Sequence, residues 1–219
     1  MAIINDGFGS ASKLVGTEQA DLINGFDLND VIEAAGGNDS IFAGDGNDTV
    51  AGGNGNDFID GGVGNDNLSG NGDNDTINDF FGNNILQGFS GDDTLTAGAG
   101  NDVFIGGLGS DRMTGGGGAD IFDFRLAFGG TDQDIVTDFV AGTDKITGLA
   151  FNNINIDFAS VANDSLAATS SASIVYSRST GSLFLNTNRS ASGFGGFGKI
   201  ATFQGNPNIS GRDFIPLEL

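Results

Sequence analysis

The 219-residue sequence contains no cysteine, no histidine and no tryptophan. Without cysteine there are no disulfides, no thiolate metal sites and no thiol nucleophiles; the absence is neutral about redox compartment. Without histidine there are no imidazole ligands and no imidazole acid–base chemistry. Any metal must then be a hard cation that prefers oxygen. Basic residues are also scarce, eight against 29 acidic ones, for a formal net charge of −21. A chain this acidic has no electrostatic footprint for nucleic acid. Glutamate is rare as well, at Glu18, Glu33 and Glu218. A solvated acidic surface mixes Glu and Asp, so this bias towards the shorter carboxylate points to turns or cation ligation. No apolar stretch is long enough for a transmembrane segment. The opening MAIINDGFGSASKLVG has no basic start before an apolar run, so it does not read as a secretory signal peptide.

What the chain has in quantity is glycine, 39 residues of it, set in a strict period. From Gly16 to Asp123, twelve nine-residue blocks follow one another without insertion, beginning at 16, 25, 34, 43, 52, 61, 70, 79, 88, 97, 106 and 115. Position six is Asp in eleven blocks and Asn84 in the other. Position eight is apolar in all twelve, from Ile23 to Phe122. Chance would produce that run with a probability on the order of 0.00001, so a disordered linker is a poor account of it. Position four is Gly in nine blocks, the exceptions being Gln19, Leu28 and Asp73.

The block reads as a six-residue turn of Gly, Asn and Asp followed by a three-residue strand with one side chain inward. Two blocks make a coil of eighteen residues, and stacked coils pair as parallel strands. The position-six carboxylates then line up in a column on each side of the solenoid. Residues 16–123 carry 18 Asp and 2 Glu against Arg112 alone. Such columns need a counter-charge. Stacked carboxylate and carbonyl oxygens are the donor set Ca²⁺ takes, and Mg²⁺, which keeps its waters, fits it less well.

The blocks GGNGNDFID, GGVGNDNLS, AGAGNDVFI and GGLGSDRMT resemble the GGxGxDxUx nonapeptide of the RTX, or hemolysin-type, calcium-binding family. The resemblance implies an all-β fold, a parallel β-roll with several Ca²⁺ ions between stacked turns. In that family the lower turn offers the carbonyls of positions two and four with its Asp, and the upper turn those of positions one and three with its own. Carried over, it pairs block 34 with 52, 43 with 61, 52 with 70, 88 with 106 and 97 with 115. The implied carboxylate ligands are Asp39, Asp48, Asp57, Asp66, Asp75, Asp93, Asp102, Asp111 and Asp120. The implied backbone ligands are Gly37, Gly46, Gly53, Gly55, Gly62, Gly64, Gly91, Gly107 and Gly109.

Three departures bear on this. The first two blocks lack Gly at position four and read as caps with little or no calcium. Asp73 occupies a glycine position. Phe80 and Asn84 break the block at 79, so a weakened or empty site is expected there, dividing the roll into two arrays. Around the repeats, residues 1–15 read as an N-terminal leader strand or cap, and 124–219 as a C-terminal β cap. In that region DQDIVTDFVAGTDKITG resembles the segment closing the roll, with Asp134 and Asp138 in a D-x-I-x-D-F pattern and Asp132 beside them. Asp132 and Asp134 are either ligands or solvated turn residues. IVYSRSTGSLFLNTN reads as a hairpin, and SGFGGFGKI as cap core or loop. The last residues, through Asp213 and Phe214, look like a family C-terminus ending in a strand.

Family members leave the cell by type I secretion with an uncleaved C-terminal signal. The resemblance therefore implies a secreted, extracellular protein with the type I secretion apparatus as a partner. An EF-hand is excluded by the missing Glu at loop position twelve, and a phosphate loop by the missing Gly-Lys-Ser/Thr. No H-E-x-x-H or G-x-S-x-G occurs, and no carboxylate pair stands out for glycoside hydrolysis, so the chain is expected to be non-enzymatic. Threonines at position seven, Thr49, Thr76 and Thr94, are too few for an ice-binding ladder. The alternative carried forward is an adhesin or surface-layer module with a cell surface or polysaccharide as partner.

Overall fold

The strict phase of the apolar position is what builds the solenoid. The computed structural model describes residues 1–5, 11–125, 133–149, 158–164, 170, 172–185 and 198–215. These form two sheets. In the first, strands Ile3–Asn5, Leu22–Asn24, Ser40–Asp45, Phe58–Val63, Thr76–Phe81, Thr94–Ala99, Arg112–Thr114 and Asp134–Val136 pair in parallel. In the second, Lys13–Val15, Val31–Glu33, Thr49–Asn54, Asn67–Gly72, Ile85–Ser90, Val103–Leu108, Ile121–Asp123 and Lys145–Thr147 do the same. Successive blocks alternate between the sheets, so neighbouring blocks within a sheet pair eighteen residues apart. Ile23, Ile41, Ile59, Ile77, Leu95 and Met113 stack in one row. Leu14, Ile32, Val50, Leu68, Leu86, Phe104 and Phe122 stack in the other. Every position-eight side chain is buried between the sheets. The chain is all-β, a parallel solenoid of about eight turns.

The strands are longer than the sequence predicts. From Ser40–Asp45 to Val103–Leu108 each has six residues, positions seven to nine and then one to three of the next block. The turn shrinks to positions four to six. Position one is Gly or Ala in eleven blocks, small enough to face inward beside the apolar residue. Pairing therefore continues, with Gly44 opposite Gly62 and Asp45 opposite Val63. Nor does the backbone divide at residues 70–87. Asn67–Gly72 pairs with Ile85–Ser90, and Thr76–Phe81 with Thr94–Ala99, in unbroken register.

Beyond residue 123 the period changes but the sheets continue. Met113 lies opposite Val136 and Phe122 opposite Ile146. Strand Lys199–Phe203 returns to pair with Asp134–Val136. The expected hairpin forms, with Ile174–Ser177 antiparallel to Ser182–Leu185. The expected last strand does not form among the described residues, and residues 216–219 lie outside them. Gly211–Asp213 is a 3₁₀ turn capped by Ser210, and Phe214 makes a single bridge to Ile146. Ser210 and Asp213 cap each other's backbone amides here, which favours a tight turn over an extended chain. Asp132 and most of SGFGGFGKI lie outside the described residues. Among the described residues no helix is long and apolar enough to cross a membrane.

An aromatic chain covers the open end of the roll. Phe122 lies 5.9 Å from Phe139, Phe139 lies 5.1 Å from Phe203, and Phe203 lies 6.4 Å from Tyr176. A solenoid end left uncovered exposes its apolar row to water. Deleting residues 124–219 is therefore expected to abolish calcium-induced β structure in far-UV circular dichroism. A truncated chain that folds at the same calcium concentration as the full chain would overturn this.

Candidate metal centre

Position six is where the two sheets turn into each other, and its side chain points back into the stack. All twelve position-six residues are buried. They form two columns: Asp21, Asp39, Asp57, Asp75, Asp93 and Asp111 on one side, and Asp30, Asp48, Asp66, Asn84, Asp102 and Asp120 on the other. In each column the Oδ1 of one residue accepts the backbone N–H of the position-six residue one coil earlier, at 2.7–3.0 Å. Asp134 and Asp144 extend the columns, accepting from Asp111 N at 3.0 Å and Asp120 N at 3.1 Å. Asp138 accepts the amides of Gly115 and Gly116, at 2.9 and 2.8 Å.

The second oxygen has a different fate. Oδ2 of Asp39, Asp48, Asp57, Asp66, Asp75, Asp93 and Asp102 is buried and meets no hydrogen-bond donor. A carboxylate oxygen in that state is costly unless a cation reaches it. Burial, the largest cause, pushes Asp48, Asp57, Asp93 and Asp120 up to about 6 and Asp75 up to about 7. Stacked neighbours add to this, such as Asp66 and Asp30 around Asp48.

The backbone oxygens lie beside these carboxylates. A β-carbon placed on Gly64 would lie 1.4 Å from the carbonyl oxygen of Gly46, one coil earlier. The same holds at Gly55 over Gly37 (2.1 Å), Gly109 over Gly91 (1.9 Å) and Gly62 over Gly44 (2.2 Å). The space above each such carbonyl stays open because position four carries no side chain in nine blocks and position two carries none in six. Position four takes positive φ in every block but the first, +152° at Gly64. Leu28 and Asp73 adopt it too, at 73° and 70°, so those departures keep the turn at a cost in strain. Among the described residues no three acidic side chains cluster as a metal site. A cation here would draw on two carboxylates and on carbonyls. The donor set fits a hard cation: all oxygen, part anionic, and held by backbone stacking.

Sequence reasoning missed three features. Position five is Asn, Asp or Ser in ten blocks. From Asn29 and Asn38 onward its side-chain oxygen accepts the N–H of the next coil's position five, at 2.7–3.1 Å. This exposed ladder runs opposite in sense to the Asp ladder, and the Asn enrichment was the signal for it. Asp144 was hidden by the inserted residues, although Asp144-Lys145-Ile146 repeats the Asp-x-apolar core of the block. The third feature is Asp79, buried at a position-one site.

Gly64→Ala is expected to raise the calcium midpoint of folding sharply, by a destabilisation of more than about 3 kcal/mol. Val63→Ala, at an exposed neighbour, should leave it within about 0.5 kcal/mol. A pH dependence follows from the raised carboxyls. In the fold they hold protons more tightly than at the ordinary 3.8, so without calcium they favour the fold fully below about pH 4. That support is lost as pH rises through about 6 to 7. A chelated sample should therefore be more β-structured at pH 4.5 than at pH 7.5 by circular dichroism; equal spectra would contradict the assignment.

The RTX calcium-binding nonapeptide repeat (4 copies) matches residues 6–41, 24–59, 42–77, 60–88 and 87–122, more than half of the chain. No curated protein matches it. Among solved structures, the AlgE6R3 subunit of the Azotobacter vinelandii mannuronan C5-epimerase is similar, at 25% identity and a TM-score of 0.40. The alignment covers 74% of this chain and 80% of that one. The extracellular lipase LipA from Serratia marcescens is similar at 17% identity and a TM-score of 0.38, over 97% of this chain and 42% of the lipase. Neither likeness is close enough to assign an activity. These two proteins are an epimerase subunit and a lipase, and the expectation of a non-enzymatic chain is withdrawn. Missing His and Cys motifs remove particular chemistries from the chain and leave carboxylate chemistry untouched. With the repeat matched over most of the roll, the chain belongs to the RTX calcium-binding nonapeptide repeat family.

Proposed function

We propose that the chain couples calcium binding to folding outside the cell. The observation that carries this reading is the row of buried Oδ2 atoms with no donor. Stacked like charges in a buried column oppose the fold until a cation neutralises them. Ca²⁺ supplies that charge and accepts six to eight oxygens in flexible geometry. The proposed carboxylate ligands are Asp39, Asp48, Asp57, Asp66, Asp75, Asp93, Asp102, Asp111 and Asp120. Backbone oxygens at Gly37, Gly46, Gly53, Gly55, Gly62, Gly64, Gly91, Gly107 and Gly109 complete the sets. Because the stacked turns exist only in the fold, binding free energy becomes folding free energy.

The physiological consequence follows from concentration. Extracellular calcium modules bind at about 10⁻⁴–10⁻³ M. Below that range, as in cytosol, carboxylate repulsion keeps the repeats unfolded, a state suited to passage through a type I secretion apparatus. Outside, millimolar calcium folds them. Residues 124–219 serve in this reading as the cap on which coils stack and as the carrier of the secretion signal. The test is far-UV circular dichroism across a calcium titration, with magnesium as control and a chelator to reverse it. A cooperative, reversible, calcium-specific gain of β structure is expected. A spectrum that calcium leaves unchanged would overturn the proposal.

A further inference from the structure

The block at residues 79–87 departs from the repeat twice. Position six is Asn84 in place of Asp, and position one is Asp79 in place of Gly or Ala. Taken separately, the first change deletes a carboxylate and the second puts a charge in the core.

Geometry joins the two changes. In six other blocks, a β-carbon on the position-one Gly would lie against Oδ2 of that block's own position-six Asp. The distances are 2.7 Å for Gly25 and Asp30, 2.4 Å for Gly52 and Asp57, and 2.1 Å for Gly70 and Asp75. They are 2.1 Å for Gly88 and Asp93, 2.2 Å for Gly106 and Asp111, and 2.4 Å for Gly115 and Asp120. A side chain at position one larger than the methyl of Ala34, Ala43 or Ala97 thus enters the space that the position-six carboxylate fills. Asp79 does so. It is fully buried, and its Oδ2 meets no hydrogen-bond donor. Its Oδ1 accepts from Phe81 N at 3.4 Å. Its Oδ2 lies 2.3 Å from where a β-carbon on Gly61 would be, so it reaches over the turn that carries Asp66. The Oδ2 of Asp66 is likewise buried without a donor. Burial first, and the facing Asp66 carboxylate second, hold the Asp79 carboxyl well above the usual range.

Asn84 meanwhile keeps the other task of position six. Its Oδ1 accepts Asp66 N at 3.0 Å, the rung an Asp would provide. Its Nδ2 faces the carbonyl of Phe81 at 3.5 Å. An ordinary position-six Asp combines a ladder oxygen and a charged oxygen in one side chain. In this block the ladder oxygen stays at residue 84 and the charged oxygen moves to residue 79.

We propose that Asp79 and Asp66 together form a divalent-cation site, Asp79 replacing the carboxylate that Asn84 lacks. The proposal rests on the calcium reading above and replaces the expectation of an empty site at this block. The roll would then carry cations through residues 79–87 without a gap.

The test counts bound ions by equilibrium dialysis with calcium, and follows folding by circular dichroism, in the full chain. Asp79→Gly is expected to bind one calcium ion fewer than the parent. Adding Asn84→Asp to that variant should return the count and the folding midpoint to those of the parent. An Asp79→Gly chain with the parent's count and midpoint would overturn the proposal, leaving Asp79 a neutral buried acid that shares a proton with Asp66. If Asp79→Gly fails to fold, the double variant decides. Recovery of folding and of the full count supports the exchange, and a double variant below the parent in either respect overturns it. A parent chain that binds no calcium would overturn the calcium reading as well, which separates that failure from this one.

Discussion

The position-six carboxylate is the constraint on which the rest of the roll depends. Its two oxygens act in opposite directions. Oδ1 ties each coil to the one before it through a backbone amide. Oδ2 of Asp39, Asp48, Asp57, Asp66, Asp75, Asp93 and Asp102 is carried into a buried space with no donor of its own. The first favours stacking at a spacing of one coil; the second opposes it unless positive charge is present. The glycines follow from the same contact. Bringing the carboxylate under its own position one leaves no room for a β-carbon at Gly52 and Gly70, and at most a methyl elsewhere, as at Ala34, Ala43 and Ala97. Bringing turns this close also sets the carbonyl of one coil against the α-carbon of the next. Aspartate, glycine and the nine-residue period are therefore linked through one contact.

Two side-chain ladders share each turn and differ in what they can contribute. The Asn ladder at position five is exposed, so water competes for each bond and the net gain is about 1 kcal/mol or less apiece. The Asp ladder at position six is buried, where a bond is stronger and an unmatched charge more costly. Their opposite sense means each turn both donates to and accepts from each neighbour. Beyond Asp123 the spacing changes, yet Asp134 and Asp144 still receive the amides of Asp111 and Asp120. The cap thus continues the carboxylate contact where the sequence period has ended, and adds the aromatic packing of Phe139, Phe203 and Tyr176 that closes the apolar row.

The repeat also tolerates change where the structure has a second route to the same contact. Leu28 and Asp73 take up the positive φ that glycine would give freely. The block at 79 keeps its ladder rung through Asn84 while a carboxylate enters from Asp79. A block can therefore look degenerate in sequence and remain whole in space.

Much of this was legible in the sequence because a solenoid turns linear period into contact. The burial of Ile23 through Phe122, the parallel eighteen-residue register and the two carboxylate columns all follow from counting by nine. That reasoning fails where contact stops following the period. The strands run three residues further than the turn composition suggests, because a small position one can face inward and go on pairing. Asp144 lies behind inserted residues and joins its column only when the sheets bring it there. Asp79 and Asn84 are five residues apart and share one space only once the turn closes. Composition and period by themselves determined the roll, its core row and its need for a hard cation. Which oxygen bonds, which is left without a donor, and which carboxylate fills a vacant place were decided by the stacking of coils, since each depends on distances between turns that the linear order does not contain.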